Sequence, residues 1–400
     1  MKVAYITVKA PYGKGEAFVV TEMLEVLRQG VDLVVIPLRP EQKVYHHEAL
    51  DISQRTIRLP LLSGKVILEF LKTIMVNPID VAFAIFSVIR CSRPGVVIKN
   101  LAIIPKGVYI ARLLSKMEVE HIHAHWASTP STCAYIASQL TGIPWSFTAH
   151  RWDITENNML KEKVKTASFV RAISEDGKKE ILRIAGKEYQ DKVLVIHMGV
   201  KVENISQVKK AGEIPTIVCV ANLVEKKGHR YLLEACRILR DKGIRFKCIL
   251  IGEGSERKTI ERKIEELGLT SKVKLLGALP HEKVQEILQK EADIIVLPSI
   301  VTDKGEKEGI PVTLMEAMSY GIPVVSTHTG GIPELLSGGA GIMVEEKNAG
   351  QLADALERLI QDKELAKEIG QRGYRKVNEE FNLIKNVKKL LEKMKKVRNS

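Results

Sequence analysis

The sequence predicts an α/β protein made of two doubly wound domains, each with a parallel sheet that helices cover on both faces. Short apolar runs rich in β-branched residues recur along the chain, and each is followed by a segment with helical periodicity. After a polar stretch the pattern starts afresh at Thr216, which predicts a second domain. The expected strands are 3–8, 33–38, 121–125, 145–148, 169–173 and 193–196 in the first series, and 216–220, 247–251, 273–276, 294–297, 324–326 and 341–344 in the second.

The polar stretch 199–215 contains three lysines and no periodic segment, so it marks the expected linker. We place the first domain at 1–200, the linker at 201–213 and the second domain at 214–380. The final segment 381–400 has an apolar stripe at helical spacing, and 383–400 carries seven basic residues against one acidic residue. This pattern predicts an amphipathic helix with a cationic outer face.

Composition and charge narrow the class of protein. The 400 residues are 45% hydrophobic and 27% charged, which is typical of folded domains and excludes a disordered or fibrous chain. The formal net charge of +13 favours an anionic partner: a nucleic acid, a lipid surface or a phosphorylated small molecule. Five scattered cysteines without a Cys-x-x-Cys pair argue against a zinc ribbon and indicate a reducing compartment. With no signal-peptide pattern and no long apolar run, we expect a cytoplasmic protein that does not cross a membrane.

The segment 297–334 holds the most informative chemistry. Pro311 favours a helix start, because its ring fixes a helical φ and its missing N–H would have no partner there. The free N–H groups of a helix at 312–319 and its positive dipole end can hold a phosphate. Glu308 and Glu316 flank that helix start, and such carboxylates can accept hydrogen bonds from paired sugar hydroxyls. From spacing alone, a solvated loop acid and a helix-surface acid explain the pair equally well.

A second motif follows the strand 216–220. Asn222 comes first, then Glu-Lys-Lys-Gly at 225–228 and a helical pattern, so that Lys227 is brought to the same carboxyl edge of the sheet. An ammonium there can neutralise a pyrophosphate. Taken alone, a lysine pair before a glycine is more often a solvated turn. In tandem doubly wound domains, ligands bind outside the carboxyl ends of the strands, and the cleft between the domains is the expected site.

Together these motifs resemble those of glycosyltransferase family 4, the retaining, nucleotide-sugar-dependent transferases of GT-B fold. In the second domain the resemblance rests on the pair Glu308 and Glu316, the Lys-Gly turn at 227–228 and the Thr-Gly-Gly-Ile-Pro-Glu loop at 329–334. In the first domain, 121–154 and the run KGEAFVVTEM resemble the subset that builds bacterial surface polysaccharides, such as colanic-acid-type transferases. The resemblance implies two Rossmann-like domains that face each other across a cleft, and a hexosyltransferase activity.

The resemblance also implies a role for each motif residue. Glu316 is expected to bind the ribose hydroxyls, Glu308 the transferred sugar and Lys227 the pyrophosphate, while His150 lies near the donor sugar. The catalytic residues are therefore expected to be Glu308, Lys227 and His150. The nucleotide- and donor-binding residues are expected to be Glu316, Gly309, Ile310, Pro311, Val312, Thr313, Leu314, Asn222 and Gly15.

One position departs from the family pattern. Asn222 stands five residues before Lys227, where the family commonly has an Arg, so one cation on the leaving pyrophosphate is missing. Loss of a comparable contact in an oxyanion site costs about 3 kcal/mol. Either Lys226, Arg230 or Lys14 substitutes, or the enzyme is slow, or the donor chemistry differs.

The expected function is retaining transfer of a sugar from a nucleotide-sugar to a saccharide or lipid-linked saccharide in cell-surface polysaccharide synthesis. No Asp-x-Asp occurs in the chain, so neither a metal nor another cofactor is expected. The alternative is a nucleotide-sugar 2-epimerase of GT-B-like fold, which binds the same ligand but uses no acceptor. A nucleic-acid binder is less favoured and no nucleic-acid partner is expected, because aromatics interleaved with Arg and a known RNA or DNA module are missing.

Weaker signals concern the surface and a histidine-rich strand. Residues 61–116 hold eight basic and two acidic side chains. They are either ordinary first-domain helices or a surface that meets anionic lipid on the inner face of the cell membrane. The last helix of GT-B enzymes often packs on the first domain, so 381–400 is expected to do so. For His121, His123 and His125, which share one strand face, we expect hydrogen-bonded buried imidazoles rather than a metal site.

Overall fold

The structure, a computed structural model, describes residues 1–12, 16–41, 49–202 and 214–398. Its contacts divide the chain into two compact units, which we call unit 1 (Met1–Met198 with Leu383–Ser400) and unit 2 (Gly199–Asn382). Val200 lies in unit 2 rather than in the first domain, because its side chain packs in the core of unit 2 and its N–H donates to the carbonyl oxygen of Phe381. The expected linker residues 203–213 lie outside the described residues.

Every predicted strand is present, with ends that differ from the prediction by at most one residue. The α/β class and the two doubly wound sheets are confirmed. The strands of unit 1 are β1 Lys2–Thr7, β2 Asp32–Pro37, β3 His121–His125, β4 Trp145–Ala149, β5 Phe169–Ala172 and β6 Val193–Val195. The strands of unit 2 are β7 Thr216–Val220, β8 Lys247–Ile251, β9 Val273–Leu275, β10 Ile294–Leu297, β11 Val324–Thr327 and β12 Ile342–Val344.

Within the described ranges, each unit has one six-stranded sheet in which all paired neighbours run parallel. The strand order is β2-β1-β3-β4-β5-β6 in unit 1 and β12-β11-β10-β7-β8-β9 in unit 2. The order reverses between β1 and β3 in the first sheet and between β7 and β10 in the second. Ligands of open α/β sheets bind at the carboxyl ends of the strands at such a point.

The strands are apolar on both faces because helices cover both sides of each sheet. Along β1, Val3 and Tyr5 pack in one core cluster, whereas Ala4 and Ile6 pack in another, as the two-residue repeat of a strand requires. Among the described residues of unit 2, one cluster of buried side chains joins the sheet to its helices.

The helices that follow the strands complete the two units. In unit 1 they are α1 Ala17–Arg28, α2 Leu50–Ser53, α3 Gly64–Val76, α4 Pro78–Cys91, α5 Pro94–Leu101, α6 Ile104–Ser115, α7 Thr129–Thr141, α8 Arg151–Glu156, α9 Leu160–Thr166 and α10 Glu175–Ala185. In unit 2 they are α11 His229–Asp241, α12 Arg257–Glu266, α13 His281–Lys290, α14 Val312–Ser319, α15 Ile332–Leu336, α16 Ala349–Gln361 and α17 Lys363–Glu380. The last helix, α18 Leu383–Arg398, belongs to unit 1.

The C-terminal helix α18 packs against α1. Its apolar stripe, which includes Leu383, Val387 and Leu390, shares a buried cluster with Val20 and Met23 of α1. The side-chain amide of Gln29, just after α1, also donates to the carbonyl oxygen of Ile384. These contacts cover one face of the first sheet with the end of the chain.

In the described part of the chain, no single helix has both the length and the apolar character of a membrane span. Helices α3 and α4 meet that criterion only when they are counted together, and they are bent by 113° at the break between them.

Candidate functional site

A glycine-dependent turn after β7 positions Lys227. Gly228 ends this turn in the left-handed region, with φ of +68°. A side chain at this position would overlap the carbonyl oxygen of Pro298, which follows β10. The N–H of Ile300 donates to the carbonyl oxygen of Lys226 at 2.9 Å. Glycine is therefore needed for the lysine turn to lie against the loop after β10, at the point where the strand order reverses.

The neighbouring strand β11 fixes the loop after β10. The hydroxyl of Ser326 donates to the carbonyl oxygen of Leu297, and that of Thr327 donates to the carbonyl oxygen of Ser299, both at 2.5 Å. The Ser299 hydroxyl in turn donates to Oε2 of Glu308 at 3.4 Å. The side chains of one strand thus hold the loop that carries Glu308.

The Thr-Gly-Gly loop after β11 lies against the backbone at Glu308. Gly330 has a φ of +59°, and a side chain there would overlap the carbonyl oxygen of Glu308. The N–H of Gly331 donates to the same oxygen at 3.4 Å. A Cβ at Gly331 would also crowd Gly309 and Ile310. Both glycines serve the close approach of two loops that build one site.

Lys227 and Glu308 form an ion pair, with Nζ of the lysine donating to Oε2 of the carboxylate. Both side chains are largely buried, with 15% and 12% exposed. The structure therefore places the residue predicted for the pyrophosphate in contact with the residue predicted for the transferred sugar. A charged, partly desolvated pair of this kind can exchange its mutual hydrogen bond for bonds to a polar ligand.

Helix α14 begins close in sequence to this pair and has an open N-terminus. Pro311 is its N-cap residue, no side chain caps the helix within the described residues, and its first turn has no acidic residue. Met315 is the first residue of this helix whose backbone N–H has a backbone partner. It donates to the carbonyl oxygen of Pro311 at 3.2 Å. The N–H groups of Val312, Thr313 and Leu314 can therefore bind an anion.

Glu316 lies one turn into α14 and is bound separately from the ion pair. Its Oε1 is 3.6 Å from Nε2 of His281, at the start of α13. Burial raises the pKa of Glu316, and the nearby His281 opposes this rise. Sequence reasoning missed His281. The sequence feature that could have identified it is its position after β9, the strand next to β8.

The family's Arg is replaced by Asn222, so one cation is missing from the site. Among the described residues, Lys227 is the one cation in direct contact with Glu308. Asn222 is exposed at the end of β7. Arg230 pairs with Glu234 at 3.4 Å on the surface of α11. The predicted donor-binding residue Gly15, with Lys14, lies outside the described residues.

In unit 1, His150 follows β4 and is buried against a second histidine. Its Nε2 is 2.9 Å from Nε2 of His125, and its backbone N–H donates to Asp153 at 2.7 Å in a capping box at the start of α8. Burial, followed by the nearby His125 and Arg171, lowers the pKa of His150 well below its usual value. The imidazole is therefore neutral at pH 7.

A buried ion pair lies next to the two histidines. Oε1 of Glu22 lies 3.7 Å from Nδ1 of His125, while Oε2 accepts a hydrogen bond from Arg171 at 2.5 Å. The carboxylate favours a proton on Nδ1 of His125, so Nε2 of His125 accepts and Nε2 of His150 donates. The separation of 3.7 Å is longer than a hydrogen bond, so Glu22 acts on His125 through its charge.

A second carboxylate, Glu16, holds the carboxyl end of β1. It accepts hydrogen bonds from the backbone N–H groups of Lys9 and Ala10, and from Nε1 of Trp126 at 3.0 Å. Trp126 has a φ of +96°, a strained value for a non-glycine residue, and its ring lies against His150. Sequence reasoning assigned no role to Glu16 or Glu22, although both lie in the run KGEAFVVTEM.

The other two histidines of β3 are hydrogen-bonded, as expected. Nε2 of His121 and Nδ1 of His123 both lie 2.8 Å from the hydroxyl of Ser146, and Nε2 of His123 lies 3.0 Å from that of Thr148. Burial lowers the pKa of His121 to about 3. Across residues 1–12, 16–41, 49–202 and 214–398, no three His, Cys, Asp or Glu side chains are grouped so that they could hold a metal ion.

Comparison with known proteins adds three kinds of match. Residues 200–376 match the family model Glycosyl transferases group 1. The chain is 38% identical over 196 residues to the putative colanic acid biosynthesis glycosyltransferase WcaL of Salmonella typhimurium, and 29% identical over 400 residues to the amylovoran biosynthesis glycosyltransferase AmsK of Erwinia amylovora. The WcaL match covers 48% of each chain, about half the length of that relative, and the AmsK match covers 96% of each.

The crystal structure of Anabaena HepE in complex with UDP matches 99% of this chain and 100% of its own, with a TM-score of 0.71 and 17% sequence identity. This likeness confirms the GT-B fold. These matches indicate one class of protein: residues 200–376, most of unit 2, match the group 1 glycosyltransferases, and the chain as a whole has the GT-B fold. Within that class, it is similar to glycosyltransferases named for bacterial polysaccharide biosynthesis.

Proposed function

We propose that the protein transfers a sugar from a nucleoside-diphosphate sugar to a saccharide or lipid-linked saccharide acceptor, with retention of configuration and without a metal ion. The donor is bound at the carboxyl edge of the sheet in unit 2, and unit 1 binds the acceptor. The product belongs to a cell-surface polysaccharide, and the acceptor is met at the anionic inner face of the membrane.

One observation carries the proposal: the ion pair of Lys227 and Glu308 where the strand order reverses, in the loops that lead to the open N-terminus of α14. An ammonium and free helix N–H groups both favour a diphosphate, and each acts through fixed charge. The carboxylate of Glu308 gives this cationic region an acceptor for sugar hydroxyls. UDP is the first nucleotide to test, since the structurally similar HepE is described in complex with it.

In the proposed reaction, the chain stabilises the leaving nucleoside diphosphate. Lys227 exchanges Glu308 for a phosphate oxygen, and the N–H groups of Val312 and Thr313 donate to the other oxygens. Glu308, freed from Lys227, accepts hydrogen bonds from the transferred sugar, while Glu316 accepts bonds from the ribose. Such preorganised donors act on charge that develops as the bond to the diphosphate breaks, which is where electrostatic catalysis is strongest.

The test compares Lys227→Ala with Lys226→Ala, two neighbouring lysines of one turn of which only Lys227 contacts Glu308. With UDP-sugars and a mixed lipid-saccharide acceptor extract, Lys227→Ala is expected to lower nucleotide release about 100-fold, and Lys226→Ala is expected to change it less than about threefold. Equal losses in both variants would contradict the role of Lys227.

The same assay separates the proposed reaction from the alternative. Release of free nucleotide that depends on acceptor and persists in EDTA supports metal-independent transfer. Appearance of an epimerised nucleotide-sugar without acceptor and without free nucleotide would instead identify a 2-epimerase. Nuclear magnetic resonance of the product's anomeric proton tests retention, and an inverted linkage would contradict that part of the proposal.

A further inference from the structure

Helix α3 is apolar on the face that it turns to solvent. Val66 and Thr73 are buried, and their side of the helix packs on unit 1. The opposite side carries large apolar residues at helical spacing, and Met75 is 76% exposed. The exposed apolar residues of this helix are Ile67, Leu68, Leu71, Ile74, Met75 and Val76.

Helices α4 and α5 repeat this pattern. Val81, Ala84 and Val88 of α4 are buried in the core of unit 1, at spacings of three and four residues. The solvent side of α4 should be polar in an ordinary surface helix, but it is apolar, and in α5 Ile98 is 83% exposed. The exposed apolar residues of α4 are Ile79, Phe83, Phe86 and Ile89.

We call the solvent side of α3, α4 and α5 the apolar helix face. Most of the large hydrophobic residues that the described structure exposes lie in it, although these helices form a small part of the chain. Soluble proteins rarely concentrate such residues in one region unless it binds a partner. The inner sides of α3 and α4 already pack on the core, so folding of unit 1 gives no reason for the outer sides to be apolar.

The charge beside the apolar helix face is positive. Residues 62–101 contain five basic and two acidic side chains. Glu69 is already paired with Lys72 at 3.0 Å and with Arg112 at 3.3 Å. Arg90 and Arg93 are exposed and have no ion-pair partner among the described residues. Lys99 is paired with Glu156 at 2.5 Å, so the charge available to an anionic partner lies on Arg90, Arg93 and the exposed Lys65.

Charge decides between two candidate occupants. In a symmetric dimer the same patch contacts its own copy, so two positive surfaces with unpaired arginines would face each other. An anionic bilayer instead offers a hydrocarbon boundary for the aromatic and aliphatic side chains and phosphate groups for the cations. The bend of 113° between α3 and α4, and the length of each, suit helices that lie on a membrane rather than cross it.

We propose that the apolar helix face of α3, α4 and α5 docks unit 1 onto an anionic phospholipid surface. Phe83 and Phe86 enter the boundary between headgroups and acyl chains, while Arg90 and Arg93 bind lipid phosphates. The inference rests on exposure and charge alone, and it holds whatever donor unit 2 binds.

Vesicle sedimentation of the full chain tests this surface. Vesicles of phosphatidylcholine with phosphatidylglycerol are expected to bind the protein, and binding is expected to weaken in high salt, because exposed charges are then screened. The double variant Phe83→Glu and Phe86→Glu is expected to bind about 100-fold more weakly. The matched control Ile384→Glu, an exposed apolar position on α18, should leave binding unchanged.

A second variant pair keeps the test independent of apolar packing. Arg90→Gln with Arg93→Gln is expected to weaken binding to the anionic vesicles about 30-fold, with little effect on pure phosphatidylcholine. Lys227→Ala should bind vesicles as the unsubstituted protein does, so failure of the donor site and failure of this surface are distinguishable.

No binding to either vesicle, or full binding by the phenylalanine variant, would overturn the proposal. A dimer in analytical ultracentrifugation that the phenylalanine variant dissociates would also overturn it, because a second copy would then be the occupant.

Discussion

Unit 1 and unit 2 both place polar side chains where the strand order of a parallel sheet reverses, but the two sets differ in burial and in what holds them. In unit 1, Glu22, Arg171, His125 and His150 lie in the interior and bind one another. In unit 2, Lys227 and the other site groups keep some exposure and sit on loops that approach closely through glycine.

The same sheet architecture therefore carries two kinds of polar cluster. A buried network of charges and imidazoles is rigid, since each member loses its partner if another moves. A partly exposed ion pair beside free helix N–H groups can exchange its internal bonds for bonds to a ligand. Unit 1 is therefore expected to respond to change mainly through stability, and unit 2 mainly through ligand binding.

Acidification should separate the units most strongly. Burial lowers the pKa of four unit 1 imidazoles, so between pH 6.5 and 5 the unfolded chain binds protons that the folded unit excludes, and stability falls as pH falls. Asp153, whose pKa is raised to about 8, is protonated in the folded unit and ionised in the unfolded chain over this range. It therefore offsets one of the protons that the imidazoles take up on unfolding. Because the unfolded imidazoles are only partly protonated near pH 6.5, the expected loss in unit 1 is about 3 kcal/mol per pH unit. The four imidazoles are those of His121, His123, His125 and His150.

Among its described residues, unit 2 has one comparable imidazole, that of His229, whose pKa burial lowers to about 4, so its expected loss is about 1 kcal/mol per pH unit. Hydrogen exchange with mass spectrometry at pH 7.5 and 5.5 reports each unit in one sample. Equal loss of protection in the two units would show that the buried imidazoles do not control the acid response.

Replacing Glu22 by Gln should give the next largest effect. The substitution leaves the Arg171 guanidinium buried beside an uncharged amide, and breaking a buried pair costs about 3 kcal/mol or more. Urea unfolding of the variant measures the loss. The control Glu180→Gln, in α10 of the same unit, breaks an exposed ion pair with Arg183 and should cost less than about 1 kcal/mol. A stable Glu22→Gln protein would mean that the interior network contributes little.

Replacing Glu316 by Gln should have a smaller effect, confined to binding. Loss of a charged hydrogen-bond acceptor for the ribose is expected to weaken UDP binding about 10- to 30-fold, with little change in stability. Isothermal titration calorimetry measures the affinity, and Glu282→Gln, an exposed position beside His281, is the control. Unchanged affinity in Glu316→Gln would place the ribose elsewhere.

Much of the fold was predictable because its signals are local. Apolar runs bounded by turn residues placed each strand within one residue, and the proline before α14 placed that helix at its observed bounds. The roles of Gly228, Gly330 and Gly331 were not visible in the sequence, since each depends on a carbonyl or backbone segment from another loop.

The candidate site was predicted in part for the same reason. The motifs named Lys227, Glu308 and Glu316, but only the structure shows that Lys227 and Glu308 bind each other and that His281 contacts Glu316. Glu22 and Arg171 are 149 residues apart and carry no pattern that links them. Spacing along a chain does not encode contacts between distant elements.

Periodicity and residue type act over a few neighbours. The order of residues was therefore enough to predict the class of fold, the succession of strands along the chain, the motif residues and the excess of positive charge. Only the folded chain shows which strands lie side by side, which charges become buried pairs and which apolar helix sides stay uncovered. Those outcomes follow from the packing of distant segments, where one residue's burial depends on what another element brings against it.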